Sequence, residues 1–201
     1  MDIRIVKLTP DLAETYVRFF DVTPHDDRTA KDELPCYCVT WRSDASYAAE
    51  SRHWFPTREE RRERALQFVR EGSLQGYLAY RGDDVVGWCN ASADCRSGVD
   101  YLRSFWPIEA KDDRVSVKSV FCFMIAPDVQ RMGIATRLLE QVCRDAAADG
   151  HDFVEAYVHR DFSTVAHDFR GPLPMFEKCG FTISAERDGK VVVRKALRPG
   201  A

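Results

Sequence analysis

Apolar positions recur along the chain with two spacings, and these predict alternating strands and helices. Near the N-terminus, Ile3 and Ile5 alternate with polar neighbours, which is typical of a strand over residues 2–8. Residues 9–11, Thr-Pro-Asp, then favour a helix start, because a cap residue, a first-turn proline and an acidic residue belong there. The chain therefore opens with a strand followed by a helix.

The first half continues with one further helix and a hairpin between polar segments. Residues 36–40 predict a short strand after a loop over 21–35. Thr57-Arg-Glu-Glu60 is a capping box, and it begins a second helix whose apolar positions repeat at helical spacing. Residues 76–89 read as a hairpin around a Gly-Asp-Asp turn, and 91–113 as a polar loop.

The second half follows a strand-helix-strand order and then closes with a hairpin. Its predicted elements are a strand over 115–125, a helix with Ile134, Leu138, Leu139 and Val142 on one face that stops at Gly150, a strand over 153–158, a short helix over 174–179, and strands over 181–186 and 191–196. This order predicts an α+β fold, with an antiparallel N-terminal half and one βαβ unit.

Composition and charge narrow the class of protein. The chain has 201 residues, with 45% hydrophobic and 30% charged residues, as expected for a single globular domain. A net charge of −3 argues against nucleic acid as the main partner. No apolar run approaches the roughly 18 residues of a membrane helix, and the N-terminus lacks a signal peptide pattern. We therefore expect a cytoplasmic protein.

The cysteines favour reduced thiols. There are seven, an odd number, and several fall inside predicted strands or helices, which argues against a disulfide framework. Cys36 and Cys38 form the one tight pair, and His25 and His53 are spaced too irregularly to complete a zinc site with them. We predict no bound metal.

The segment from Phe121 to Leu139 carries the most specific chemistry. It reads as a strand, a proline turn and a helix whose first turn carries Gln130, Arg131, Gly133 and Ala135. Small residues and free backbone N–H groups at a helix start form an anion site. An ordinary βα turn without a ligand is the alternative, whereas the Rossmann glycine pattern and the Walker Gly-Lys-Ser/Thr are absent.

The motif Gln-x-x-Gly-x-Ala after a strand resembles the acetyl-CoA pyrophosphate loop of the GNAT acyltransferase superfamily. A second segment, Gly171 to Phe181, is similar to that family's Tyr-x-x-x-Gly-Phe ending. The resemblance implies one domain over 1–201, with an acetyl-CoA core at 115–181 and a variable acceptor-side insert at 21–56. It also implies a twisted, mostly antiparallel sheet with a splayed parallel pair in its centre and helices on both faces.

By this resemblance, strands 115–125 and 153–158 separate and hold the pantetheine arm of acetyl-CoA between them. The backbone of Phe123 and Ile125 is expected to bond the pantetheine amides and the thioester oxygen, which makes Ile125 a catalytic residue. The implied cofactor contacts are Phe123, Met124, Ile125, Gln130, Arg131, Met132, Gly133, Ile134, Ala135, Thr136 and Phe176.

The acceptor amine must lose a proton, because an amine with a pKa near ~10 is mostly charged at neutral pH. The candidate bases are Glu155, His159, Asp44 and Glu50, with water-relayed removal as an alternative. The tyrosine that protonates the departing thiolate in many relatives is Phe176 here, and the substitutes are Tyr157, Ser163 or Thr164.

Three classes of function remain. The leading one is an N-acetyltransferase that transfers acetyl from acetyl-CoA directly to a primary amine of a small molecule or peptide. The second is a catalytically weak acyl-CoA-binding or regulatory module, which Phe176 favours. The third is a thiol or zinc-dependent protein built on Cys36 and Cys38. A homodimer is compatible with each of them.

Overall fold

The computed structural model describes residues 2–24, 35–42, 57–93, 99, 102–109, 114–163 and 169–198. In this part of the chain seven strands form one sheet, in the order β1-β2-β3-β4-β5-β7-β6. The strands are β1 (Arg4–Lys7), β2 (Gly76–Arg81), β3 (Asp84–Ser92), β4 (Val117–Ile125), β5 (Phe153–His159), β6 (Thr182–Arg187) and β7 (Lys190–Ala196). Neighbouring strands are antiparallel, except that β4 and β5 run parallel.

Helices cover both faces of this sheet. The α-helices that pack on the sheet are α1 (Ala13–Val22), α2 (Arg58–Arg70), α3 (Ile134–Ala148) and α4 (Leu173–Lys178). Helices α3 and α4 share one apolar core with one sheet face, to which Leu138 and Phe176 contribute fully buried side chains. Helices α1 and α2 share the core on the other face, around Tyr16 and Trp88. The predicted fold class is confirmed.

Local signals in the sequence set the helix ends as predicted. The Thr57 hydroxyl accepts a hydrogen bond from the Glu60 N–H at 3.1 Å, and the Glu60 carboxylate accepts one from the Thr57 N–H at 3.1 Å. At the far end of α3, Gly150 has a φ of +84°, a left-handed conformation that glycine adopts without strain. Capping and glycine chemistry act within a few residues, so the sequence alone reveals them.

The strand predicted over residues 36–40 is wrong. A turn at Tyr37 and Cys38 leads into a short 3₁₀ helix over Val39–Arg42. Tyr37 and Cys38 have φ values of +46° and +49°, which end any extended conformation. Both side chains are buried, so tertiary contacts override the β-propensity of this segment.

Candidate active site

The two central strands separate midway along their length. Strands β4 and β5 pair only from Val117 with Phe153 to Val120 with Ala156. Beyond that point β4 continues to Ile125 alongside β3, and β5 continues to His159 alongside β7. The free edges of the two strands therefore face each other across a gap, which we call the splay, and the predicted separation is confirmed.

A β-bulge accounts for the splay. Asn90 of β3 faces Cys122, whereas the next residue, Ala91, faces Val120, so Phe121 is an extra residue in β4. A bulge bends the strand that carries it and increases its twist. The bend comes directly after the last residue of β4 that pairs with β5, so β4 turns away there.

The β4 edge of the splay already holds a hydrogen bond from the chain itself. The Phe123 N–H donates to the Phe169 carbonyl at 2.7 Å. On β5, the indole N–H of Trp106 donates to the Val158 carbonyl at 3.2 Å, a group on the side of the strand that pairs with β7. The Phe123 N–H, which the resemblance assigns to the pantetheine arm, is therefore engaged by the chain itself. Phe169 follows β5 in the sequence, and no local pattern indicates its contact with β4.

The backbone of Ile125 faces the same side of β4 as the Phe123 N–H, which is the side of the splay. The following residue, Ala126, donates its N–H to the Val86 carbonyl of β3 at 2.9 Å. Backbone groups alternate sides along a strand, so the N–H of Ile125 points away from β3 and toward the splay. The Ile125 carbonyl accepts a hydrogen bond from the Gln130 side-chain amide at 3.3 Å, which fixes the following loop against the strand.

The loop before α3 has the backbone of an anion site. Arg131 and Gly133 have φ values of +61° and +80°, and Gly133 is the N-cap of α3 without a capping side chain. The first N–H groups of this 15-residue helix thus have no helical partner. An ideal Cβ at Gly133 would meet no heavy atom within 4 Å, so the approach to the backbone is open. These features fit a pyrophosphate.

The side chains of the loop divide into exposed and buried sets. Arg131 and Met132 are exposed, whereas Ile134 belongs to the core below the helix. Ala135 and Thr136 are half-buried at the helix start. On the opposite flank, Arg81 of β2 forms an ion pair with Asp128 at 3.0 Å, just before the loop. An approaching ligand thus meets backbone, Arg131 and Met132, while Ile134 anchors the helix.

Phe176 lies wholly inside the core. Its exposed fraction is 0%, and its ring packs edge-on against Phe181 and Phe123, with centroids at 5.3 and 6.2 Å. Gly171 approaches the same cluster, since its ideal Cβ would lie 3.4 Å from the Phe176 ring. Phe176 thus packs beneath Phe123 and Gly171 in the core.

Glu155 is held in a buried network at the closed end of the splay. Its side chain is 5% exposed and forms an ion pair with Arg194 at 2.5 Å. Its other oxygen accepts a hydrogen bond from the Tyr157 hydroxyl at 2.8 Å. Since both oxygens are engaged, the carboxylate is poorly placed to take a proton from an acceptor amine.

Tyr157 belongs to the same network. Its hydroxyl also lies 3.0 Å from the Ser119 hydroxyl, and the side chain is fully buried. Burial raises the pKa of Tyr157 well above its usual value, and the nearby Glu155 charge raises it further. A phenol in this setting gives up its proton reluctantly, so Tyr157 is a weak candidate for protonating a thiolate.

His159 stands at the open end of the splay. It is the last residue of β5, is half-buried, and its ring centroid lies 5.3 Å from that of Trp106. Ser163, a candidate for protonating the departing thiolate, is exposed beyond the end of β5. Asp44, Glu50 and Thr164 lie outside the described residues. His159 is therefore the described candidate base nearest to the opening.

Aromatic residues wall the splay on the α1–α2 face. Trp41 stacks on Phe121 with centroids 5.3 Å apart, and the Arg170 guanidinium lies over the Trp106 ring at 4.4 Å. Arg170 also lies over the rings of Trp41 and Phe169, at 5.6 and 4.4 Å. The sequence interpretation assigned no site role to Phe169 or Arg170, whereas Trp106 lies in the segment 91–108 that it expected to wall a pocket together with 36–56. The one signal for Phe169 and Arg170 was that they fall in a polar loop beside the two central strands.

The described part of the chain contains neither a cluster of metal ligands nor a helix able to span a membrane. There, no three His, Cys, Asp or Glu side chains group in a way that could hold a metal ion. Likewise, no helix among the described residues is long and apolar enough to cross a membrane. Cys36 and Cys38 are thiols in the core beneath α1.

The fold thus combines a splayed parallel pair of strands with a glycine-capped helix that connects them. A model of the acetyltransferase (GNAT) family matches residues 27–181, which is more than half of the chain. The chain belongs to this family. A search of curated proteins found no match.

Solved structures agree in fold. An acetyltransferase of the GNAT family from Streptococcus pneumoniae is 18% identical, with a TM-score of 0.54 over 98% of this chain and 100% of that one. The PaiA N-acetyltransferase from Thermoplasma acidophilum, in complex with coenzyme A, is 16% identical, with a TM-score of 0.53 over 98% and 99%. Aminoglycoside 6'-acetyltransferase type Ii is 13% identical, with a TM-score of 0.55 over 98% and 99%. At these identities the likeness concerns the fold alone.

Proposed function

We propose that the protein is an N-acetyltransferase that transfers acetyl from acetyl-CoA to a primary amine within one ternary complex. The observation that carries this proposal is the splay beside the loop at 130–136, in a chain of the acetyltransferase family. The PaiA structure, which has the same fold, is a complex with coenzyme A. We further propose that residues 1–201 act as one domain, with 115–181 as its cofactor core.

The loop residues are proposed to hold the pyrophosphate through backbone N–H groups. Gly133, Ile134, Ala135 and Thr136 contribute amides at the positive end of the helix dipole. Arg131 is exposed next to them and adds a full positive charge. Gln130 keeps the loop close to β4 through its bond to Ile125, so phosphate binding and thioester placement are coupled by one short segment.

The strand edges are proposed to hold the pantetheine arm. Phe123, Met124 and Ile125 form the part of β4 that no longer pairs with β5, and the Ile125 N–H points into the splay. An N–H fixed there can donate to the oxygen that gains negative charge as the amine attacks the thioester carbonyl. For an amide of the pantetheine arm to bond Phe123, the Phe169 carbonyl must first release the Phe123 N–H.

His159 is proposed as the group that accepts the proton of the attacking amine. It stands at the mouth of the splay on β5, whereas Glu155 is engaged by Arg194 and Tyr157. We therefore assign Glu155 a positioning role, in which it orders Tyr157 where the two strands part. An imidazole is suited to proton transfer at neutral pH.

Replacing His159 tests this assignment. In a His159→Gln variant we expect kcat/KM for the amine to fall by about 10²- to 10⁴-fold, the usual worth of a general base. The dependence of rate on acidic pH should flatten, while the Kd for acetyl-CoA stays unchanged. His151→Gln is the matched control, because His151 lies 2.7 Å from Ser116 at the opposite end of β4. An unchanged pH profile in His159→Gln would assign the base elsewhere.

A binding module without turnover is the second candidate. It is favoured by Phe176, a buried ring without a hydroxyl, and by the Phe169 carbonyl that occupies the Phe123 N–H. Release of free CoA in a panel of amines separates the two candidates. Tight acetyl-CoA binding with no CoA release above the rate of hydrolysis would favour the binding module.

The aromatic residues Trp41, Trp106 and Phe169, which we call the acceptor wall, give a first indication of the class of amine. The acceptor wall consists of aromatic rings with the cations Arg170 and Lys190 over Trp106, at 4.4 and 5.3 Å. Positive charge at the wall repels polyamines and favours an amine with an apolar or anionic body. The amine panel should therefore pair each polyamine with an uncharged or carboxylate-bearing amine of similar length.

A further inference from the structure

Two buried cysteines from distant parts of the sequence meet on the α1–α2 face. Cys38 and Cys122 are 84 residues apart, yet their sulfur atoms lie 2.9 Å from each other. This is inside the contact distance of two non-bonded sulfur atoms. Cys122 lies at the bulge of β4, and Cys38 lies just before the short helix that carries Trp41. Neither thiol takes part in the proposed acetyl transfer.

The backbone at Cys38 is held in a costly conformation that directs its side chain to Cys122. Tyr37 and Cys38 are both left-handed, with φ of +46° and +49°, a conformation that is unfavourable for a non-glycine residue. The Tyr37 carbonyl accepts a hydrogen bond from the Tyr16 hydroxyl at 2.8 Å, and its own hydroxyl donates to Asp21 at 2.5 Å. Such strain persists only where the surroundings fix it, and here they fix a sulfur–sulfur contact.

Polar groups around Cys38 suit sulfur chemistry. The Trp88 indole N–H lies 3.3 Å from the Cys38 sulfur, and Cys36 hydrogen-bonds to the same sulfur. Burial raises the pKa of Cys38 well above its usual value and the contact with Cys122 raises it further, whereas the bonds from Cys36 and Trp88 act in the opposite direction. At rest Cys38 is thus a thiol, with donors in place to stabilise the anion during reaction. Cys36 is half-buried and is the member of this group nearest to solvent.

We propose that Cys38 and Cys122 form an oxidative modification site, closed to a reversible disulfide by hydrogen peroxide that enters at Cys36. The Cys36 sulfur attacks the peroxide O–O bond, becomes a sulfenic acid and releases water. Cys38 displaces the sulfenic hydroxyl as a second water and forms a Cys36–Cys38 bond. Cys122 then attacks the Cys38 sulfur and returns Cys36 as a thiol. Overall, two thiols lose two electrons and two protons, and one peroxide becomes two waters.

Closure of this bond would fix the acceptor wall to the splay. Trp41 is three residues from Cys38 and stacks on Phe121, the neighbour of Cys122. The disulfide would therefore link covalently the two segments whose aromatic residues, Trp41 and Phe121, already stack on each other. Its effect on the amine KM depends on the proposed function, but formation of the bond does not.

The test is peroxide titration of the purified full chain, followed by alkylation under denaturing conditions and peptide mass spectrometry. We expect a peptide pair joined through Cys38 and Cys122, two hydrogens lighter than the reduced pair and restored by dithiothreitol. The oxidised protein should melt several degrees higher, since a long loop is closed in the unfolded chain. Full alkylation of Cys38 and Cys122 after oxidation would overturn the proposal, as would a stable bond to another cysteine.

Three variants separate the roles. Cys122→Ala should stop the reaction at a Cys36–Cys38 bond, and Cys36→Ala should give the same final pair several-fold more slowly. Cys89→Ala is the matched control, because Cys89 is fully buried in β3 and should leave rate and product unchanged. If Cys36→Ala reacts at the parent rate, peroxide does not enter at Cys36. Because these readouts use no acetyl-CoA, failure of the enzyme proposal leaves them intact.

Discussion

At the start of α3 two backbone torsions carry the candidate cofactor site, φ of +61° at Arg131 and +80° at Gly133. Glycine adopts such a torsion freely, whereas arginine in it costs of order 1–3 kcal/mol. The Arg131 side chain is exposed, so its burial does not compensate this cost. An unfavourable torsion at an exposed cation beside open helix amides is consistent with selection for anion binding.

A negative side chain at Gly133 should remove acetyl-CoA binding. In Gly133→Glu, both the left-handed torsion and the carboxylate oppose the site. In Gly133→Ala only the torsion does, because a Cβ there meets no atom within 4 Å. By calorimetry we expect Glu to bind at least about tenfold more weakly than Ala, or about 1.4 kcal/mol. Equal affinity of the two variants would mean that the pyrophosphate binds elsewhere.

A hydroxyl at position 176 tests whether a general acid is missing. Phe176→Tyr should lower the melting temperature, because a buried hydroxyl without a partner costs about 1–3 kcal/mol. If thiolate protonation limits the rate, turnover should rise by about tenfold or more. Phe181→Tyr is the control, since it adds the same group to a ring 5.3 Å away. A fall in turnover at unchanged acetyl-CoA affinity would show that Phe176 only packs the core.

Among the elements, β4 decides the geometry of the site. Its first half pairs with β5, its bulge at Phe121 turns it away, and its second half offers the free edge. In the structure this edge bonds the segment that leads into α4, through the Phe169 carbonyl. Gly171 enables that return, since φ is +88° there and its ideal Cβ would lie 3.5 Å from the Phe123 ring.

Substituting Gly171 should loosen the segment from β4. In Gly171→Ala the left-handed torsion becomes strained, and the new methyl group would lie 2.8 Å from the end of Met175. We expect faster hydrogen exchange at the Phe123 amide, measured by mass spectrometry of the β4 peptide. Gly189→Ala is the matched control, with φ of +71° and no atom within 4 Å. Equal exchange in the two variants would mean that Gly171 does not hold the segment in place.

At the scale of the molecule, the sheet separates two apolar cores in the described part of the chain. Helices α3 and α4 pack on one face, and α1 and α2 on the other. The α1–α2 side is tied together by Asp21 at the end of α1, which accepts hydrogen bonds from Tyr37 and from Arg62 of α2 at 2.5 and 3.0 Å. One carboxylate thus links both helices to the strained turn at Tyr37 and Cys38.

Charge on Asp21 should stabilise the molecule in a pH-dependent way. Partial burial works to raise the pKa of Asp21, but hydrogen bonds from Tyr37 and Arg62 and the charges of Arg62 and Arg58 outweigh it, so the pKa is lowered. The folded state therefore binds this proton less readily than the unfolded state. Its stabilisation is present above the unfolded pKa of about 3.9 and is lost as pH falls through the lower folded value.

We therefore expect Asp21→Asn to melt several degrees below the parent at pH 7, with a difference that narrows below about pH 4. Melting curves over this pH range provide the measurement. Asp83→Asn, in the exposed turn between β2 and β3, is the control and should melt with the parent throughout. A difference that persists unchanged at low pH would assign the effect to packing instead of charge.

The sequence by itself determined those features that depend on neighbours along the chain. The helix start at Thr57, the stop at Gly150 and the glycine loop at Gly133 each depend on a few adjacent residues. The order of elements predicted an α+β fold, and the resemblance carried by residues 121–139 and 171–181 implied the family and the splayed pair of strands. Hydrophobic periodicity and capping are short-range effects, so they can be recognised from the amino-acid sequence alone.

Only the tertiary structure decided which groups meet across the sheet. It placed the Phe169 carbonyl on Phe123, engaged Glu155 with Arg194, and brought the sulfur atoms of Cys38 and Cys122 together. It also replaced the strand predicted over 36–40 by a left-handed turn. These partners lie many residues apart, and the choice between them depends on the packing of the complete core, which no local pattern encodes.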